Sequence, residues 1–323
     1  MKMILHSYRA CGLRTDKGCG RRTGVTLIEV LMALFIMALG ILALLSLFPL
    51  AALQMAQSIK DDRTGTLAVN ADITFRVFWR KAWQGPNGSL NATTTEPGFT
   101  ALDNGVATTY TGPSNAVLID PIGQYASGGS ASVAGAITRS NWQAVASSPS
   151  PAACVRFCSI MDDMTFNSSS GWADTSNGSI DRGGRYSVAW FIQRPNNSVR
   201  GSVNLSVLVY QNRPVTVNPS GEYAVTGSVV PSSVPGVGPT AVNLNLGGLN
   251  PNLKKGGWIL DVTNTTQPAF YRVVNYNYQT GAVELQLPLQ SIASGTATFI
   301  IFDNLVEVFN RGTISVNSPP AQQ

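Results

Sequence analysis

The sequence predicts an α+β protein. A long hydrophobic N-terminal helix packs on an antiparallel β-sheet head, and a further β-rich block follows at the C-terminal end. Three observations carry this expectation. An apolar run extends from Val25 to Leu53. An amphipathic stretch continues it to residue 84. From residue 185 onward, short runs of alternating apolar and polar residues recur between Gly, Pro and Asn turn signals.

The helix comes first. No charged residue falls between Val30 and Ile59. A helix over Val25–Leu53 extends about 40 Å at about 1.5 Å per residue, more than the roughly 30 Å of a bilayer's hydrocarbon core. Basic residues lie just before it, so the N-terminus is expected to stay cytoplasmic while the rest is exported. Glu29 stands out, because a carboxylate in such a span is costly without a partner. Cleavage between Gly24 and Val25 supplies one: the new α-amine of Val25 lies one helical turn from Glu29, and negative charge in a first turn suits the helix dipole. Gly40 and Pro49 weaken the helix, with Pro49 the candidate kink. Beyond the span, Val69, Ile73 and Val77 recur at i, i+4 and i+8. They predict the stripe that packs on the head. Gly85-Pro86-Asn87-Gly88 is expected to end the helix.

Residues 85–150 are rich in Gly, Ser, Thr, Ala and Asn and read as loops with a few edge strands, Ala116–Ile119 being the clearest. Arg185–Arg194 and Val203–Tyr210 read as a hairpin joined by Pro195-Asn196-Asn197. Val203, Leu205, Val207 and Val209 share one face, opposite Asn204, Ser206, Leu208 and Tyr210. After Pro214, strands are expected at 241–246, 257–262, 270–278, 282–287, 297–302 and 306–309. The pattern leaves open whether this block is an appended module or completes the first sheet. The expected division is 1–24 leader, 25–84 helix, 85–214 head and 215–323 β-rich block.

Charge narrows the function. The 323 residues carry a formal net charge of +5, with 12% charged and 44% hydrophobic residues, which is not a disordered composition. Residues 1–24 hold six basic residues against Asp16, so the rest of the chain is neutral. A neutral body offers no general attraction to nucleic acid. The only histidine, His6, lies in the leader. Once the leader is removed, Ser-His-Asp and Cys-His catalysis and histidine-ligated zinc are excluded. Neither an enzyme nor a cofactor is expected. Cys154 and Cys158 are the only cysteines after residue 24. One pair in an exported domain reads as a disulfide ahead of two free thiols or a metal site.

The run Gly24-Val-Thr-Leu-Ile-Glu29-Val-Leu-Met-Ala-Leu resembles the signal of type IV prepilins and type II secretion pseudopilins. The continuation over 31–44 is similar to the PilV-like branch of minor pilins and to the minor pseudopilins, two groups that fold and cleavage do not distinguish. The resemblance implies that a prepilin peptidase cuts after Gly24, that Val25 is N-methylated, and that Glu29 is the assembly glutamate. The family usually has Phe or Met where this chain has Val25. The partners implied are the peptidase, other pilin or pseudopilin subunits and an inner-membrane assembly platform. The implied location is a single pass through the inner membrane, then a periplasmic or extracellular filament. A membrane-anchored adhesin or glycan-binding protein is the reading from another class.

Three weaker features complete the survey. Asp174, Asn177 and Asp181 place oxygen ligands around a glycine, faintly like a calcium loop, but an ordinary Asx/Gly turn is the better reading. Asp162-Asp163 reads as an exposed turn rather than a carboxylate pair. Lys254, Lys255, Tyr271, Tyr276 and Tyr278 read as a solvated turn and strand aromatics rather than a DNA or glycan surface.

Overall fold

The computed structural model describes residues 26–83, 116–126, 132–140, 151–175, 181–194, 202–213, 221–265, 267–290 and 295–315. The leader, the helix-ending Gly85–Gly88, the hairpin loop at 195–197 and Pro214 lie outside them. The chain divides into two compact units, residues 1–58 and 59–323. Helix α1 (Leu27–Trp83) begins in the first and ends in the second, and is unbroken at Pro49.

In the first unit every described residue, from Thr26 to Ser58, is exposed. The large apolar side chains there are exposed, and this helix alone among the described ones has the length and composition of a membrane span, with mean hydropathy 2.8.

In the second unit the rest of α1 lies against a six-stranded sheet. Its strands are β1 (Val117–Ile119), β2 (Ser132–Val133), β3 (Ile137–Ser140), β4 (Tyr186–Gln193), β5 (Ser202–Gln211) and β12 (Leu305–Ser315), in the order β12-β5-β4-β1-β3-β2. The β1–β3 pair is parallel and the other pairs antiparallel. β1 is therefore internal, not an edge strand. Two short helices, α2 (Pro121–Ala126) and α3 (Pro151–Cys158), follow β1 and β3.

The helix stripe that meets the sheet is not the expected one. Val69, Ile73 and Val77 are 37%, 47% and 61% exposed. The buried positions are Thr64, Leu67, Ala68, Ala71, Phe75 and Trp79, on the opposite side of the helix. The physical reason is the payload. Phe75 and Trp79 each bury more apolar surface than a single β-branched residue, Leu67 adds to them, and Ala68 and Ala71 let the backbone come close. That approach is close enough for the Trp190 indole of β4 to donate to the Ala71 carbonyl at 2.9 Å. Phe75 stacks on Trp79 at 5.5 Å, and Phe157 of α3 sits 5.9 Å from Trp190 and 6.0 Å from Phe78. Val203, Leu205, Val207 and Val209 complete this core, as their shared face requires.

The other face of the sheet is also covered. Strands β6 (Glu222–Val230), β7 (Ala241–Asn245), β8 (Trp258–Asp261), β9 (Ala269–Asn277), β10 (Ala282–Leu285) and β11 (Gly295–Phe302) close into a barrel in the order β10-β7-β6-β11-β8-β9. Val225, Val242, Ile259, Val273, Val283 and Phe299 are among the residues filling it. Gly227 makes room there, because a Cβ would lie 3.1 Å from the Phe299 ring. β11 is apolar on both sides. Phe299 and Ile301 point into the barrel, while Ile300 and Phe302 pack with Ala189, Leu208 and Tyr210 of the sheet. Residues 222–302 form a barrel, and β12 leaves it to pair with β5 across eight registered positions.

Candidate functional site

The opening of α1 is built from Thr26 and Glu29. The Thr26 carbonyl accepts the first helical bond, from the Val30 N–H at 3.3 Å. The Glu29 carboxylate accepts the Thr26 backbone N–H at 2.9 Å and the Thr26 hydroxyl at 3.1 Å. This is the reach-back half of a capping box, in which the third helical residue satisfies an orphan N–H at the cap. Thr26 was not singled out from sequence, although Thr-x-x-Glu before an apolar run is the signal for it. After this turn comes the charge-free stretch to Ile59. Gly24 and Val25 lie outside the described residues.

The remaining sequence candidates are not brought together. Cys154 and Cys158 are free, buried thiols on α3. The expected disulfide is not formed here, and the helix explains why. Residues four apart on a helix hold their Cβ atoms about 5–6 Å apart, whereas a disulfide needs about 3.8 Å. Burial pushes the Cys154 thiol up to about 11, with Asp120 adding to it. It pushes Cys158 well above its usual value too. Asp181 pairs with Arg156 at 3.1 Å, and its N–H donates to the Asp174 carbonyl at 2.8 Å. Asn177 lies outside the described residues. Asp163 accepts the Arg185 N–H at 2.7 Å, as a turn former does, and Asp162 is exposed. Tyr271 is inside the barrel, where its hydroxyl accepts the Gln290 N–H at 3.0 Å. Tyr276 packs against the barrel core, while Tyr278, Lys254 and Lys255 are exposed.

One cluster was missed. Asp120, Arg139, Arg213 and Glu222 meet where the chain passes from sheet to barrel. Arg213 forks onto Asp120 with two bonds of 2.6 Å and lies 3.3 Å from Glu222. Arg139 pairs with Glu222 and lies 3.8 Å from Asp120. The Gly123 N–H donates to Asp120 at 3.0 Å, and the Arg213 guanidinium stacks 4.2 Å over the Tyr210 ring. All four side chains are nearly inaccessible. Burial acts to raise the Asp120 pKa, but Arg213 and Arg139 outweigh it and hold the carboxyl below its usual value. Glu222 is pushed up by burial, which its two arginines only partly offset. Two positive and two negative groups balance, so the cluster reads as a lock between layers. Among the described residues no group of acids, histidines or cysteines is arranged to hold a metal.

The fold and the helix opening define a class: a β-rich head preceded in sequence by an apolar helix suited to membrane anchoring. Residues 19–45 match the prokaryotic N-terminal methylation motif, the type IV pilin-type signal, and this supports a prepilin- or pseudopilin-type protein. The matched stretch includes Gly24, Val25, Thr26 and Glu29. Neither the curated proteins nor the solved structures compared with the chain gave a match.

Proposed function

We propose that the chain is a structural subunit, a minor pilin or pilin-like protein, of a type IV pilus-type filament. Prepilin peptidase cuts it after Gly24, and Val25 is N-methylated. The observation that carries this reading is the position of Glu29. It is the only charged residue between Arg22 and Lys60, it lies within the methylation motif, and its carboxylate is drawn back onto the Thr26 N–H. The Val25 nitrogen is three covalent bonds from that N–H. A cut after Gly24 therefore creates an ammonium one residue from the Thr26 N–H that Glu29 already accepts.

The pair has two uses. Within one subunit it neutralises a charge that lipid makes costly. Between subunits, Glu29 of one copy and the amine of the next set axial register, because a mismatched register leaves both charges unpaired among aliphatic side chains. The exposed stripe of Val69, Ile73 and Val77 supports the same reading, since it leaves apolar surface on the head's own part of α1 for neighbouring helices. Before assembly the subunit sits in the inner membrane with its head exported. Its partners are the peptidase, like subunits and an assembly platform.

Mass spectrometry of the N-terminus from native membranes tests the proposal. The expected species begins with N-methyl-valine at position 25. An intact basic leader on functional molecules overturns it. Glu29→Ala is expected to insert in the membrane normally but to enter filaments poorly.

A further inference from the structure

A cleft of about 280 Å³ lies where the sheet extends past the barrel. Its origin is legible strand by strand. On the barrel-facing side of β5, Leu208 and Tyr210 are buried under β11, but the same row continues outward as Ser206 and Asn204. Ser206 is registered with Phe191 of β4 on one side and Asn310 of β12 on the other. The barrel contributes Trp258 and Phe270 to the opposite wall. Phe191 and Phe270 meet edge to face at 5.1 Å.

We propose that this cleft binds a single neutral sugar ring, the end or a branch of a glycan. Three observations converge on that chemistry. Three aromatic side chains line one small space, and aromatic faces accept the C–H face of a pyranose through hydrophobic contact. None of the described lining residues is charged, which suits a neutral ligand rather than a phosphate or a carboxylate. Donors are held ready. The Asn204 Oδ1 accepts the Thr313 hydroxyl at 2.6 Å, and the Asn310 Oδ1 accepts the Gly312 N–H at 2.8 Å. Both amides are thereby oriented, with their NH2 groups left as donors. Arg272, stacked 5.8 Å over the Trp258 ring, is answered by Glu307 at 3.8 Å, so local charge balances. The volume is slightly below the usual range for drug-sized ligands, which fits one ring with its neighbours outside. A peptide strand is a poorer occupant. The cleft opens on a sheet face, where ladder bonds are already made, not along the free edge of β12.

Saturation-transfer NMR on the full chain, in a zwitterionic detergent that carries no sugar, tests the assignment. The probes are lactose, cellobiose and N,N′-diacetylchitobiose, with decaproline as the peptide alternative. At least one saccharide is expected to bind saturably at millimolar concentration. Trp258→Phe keeps an aromatic side chain but shrinks the face it offers the ligand, and Asn310→Leu removes an oriented amide at an exposed position. Each is expected to weaken binding at least fivefold while the thermal unfolding midpoint stays near that of the parent. Failure of all three saccharides, binding unchanged in both variants, or saturable binding of decaproline alone overturns the proposal.

Discussion

Neutralising Asp120 leaves two buried guanidiniums facing one carboxylate. Asp120→Asn keeps the shape but removes the anion that Arg213 grips with two 2.6 Å bonds. Charge-assisted bonds contribute about 1.5–3 kcal/mol each, and breaking one side of a buried pair typically costs about 3–5 kcal/mol. Against a total stability of about 5–15 kcal/mol, that is a large fraction, and it lowers the melting temperature on the order of 10 °C. The double variant Asp120→Leu with Arg213→Met is the informative control. It removes one charge of each sign and leaves the Arg139–Glu222 pair intact. It is therefore expected to lose less than either single variant, because no charge is stranded. Urea unfolding of the full chain in detergent, followed by near-UV circular dichroism, measures Asp120→Asn, the single variants Asp120→Leu and Arg213→Met, and the double variant. A single variant within about 1 kcal/mol of the parent, or a double variant as weak as the sum of the singles, refutes the reasoning.

The same cluster dictates a pH profile. Asp120 is held below its usual 3.8, so the stability it supplies is present above about pH 4 and is lost as pH falls through the lowered value. Glu222 is raised above 4.5 and acts in the opposite sense: its contribution is fully present below that value and is lost as pH rises through the raised one. The urea midpoint is expected to hold or rise slightly on acidification from neutral pH, then fall below about pH 4, and Glu222→Gln removes the rise. Cys154 and Cys158 are expected to resist iodoacetamide at about pH 8 until the head unfolds, since burial disfavours both thiolates; rapid labelling or a mass showing a disulfide counts against this. Phe75→Ala is expected to cost about 3–5 kcal/mol in the isolated subunit, whereas Ile73→Ser changes its melting by less than about 1 kcal/mol and instead lowers incorporation into filaments, read by immunoblot of sheared filaments.

Much of this architecture is legible in local pattern. The apolar helix, the β4–β5 hairpin and most barrel strands follow from periodicity, because their side chains alternate against a core. β6 escaped because its inward position 227 is a glycine, which interrupts the apolar alternation between Val225 and Val229. That glycine is dictated first by Val242, whose Cγ1 would lie 2.5 Å from a Cβ there, and then by Leu244 and Phe299, none of them local to it. α3 escaped because it is short, although Pro151 at its first position is a start signal. The wrong face of α1 was chosen because two stripes repeat with nearly the same period, and only the sheet's demand for Trp79 and Phe75 separates them. The N-terminal methylation motif was readable because its pattern is local. The four buried charges and the cleft were not, since both are assembled from distant segments.

Residues 222–302 look removable, because both ends of the barrel leave the sheet side by side. The Gln211 N–H donates to the Asn304 carbonyl at 2.9 Å, and the Asp303 N–H to the Gly221 carbonyl at 2.7 Å. A short turn there would still let β5 pair with β12. The sheet argues otherwise. An antiparallel sheet with one wet face shows polar residues on that face, yet here Leu118, Ala189, Phe191, Leu208 and Tyr210 face the barrel and are all buried. Excision would expose that surface, and it would also leave Arg139 without Glu222. The barrel is therefore the second layer of one core rather than an appendage. Replacing 222–302 with a two-residue Asn-Gly turn is expected to give a chain that aggregates, measured by light scattering in detergent, and adding Leu208→Lys and Phe191→Thr is expected to recover part of the monomer. A well-behaved monomer from the simple excision would show that helix and sheet fold without the barrel's cover.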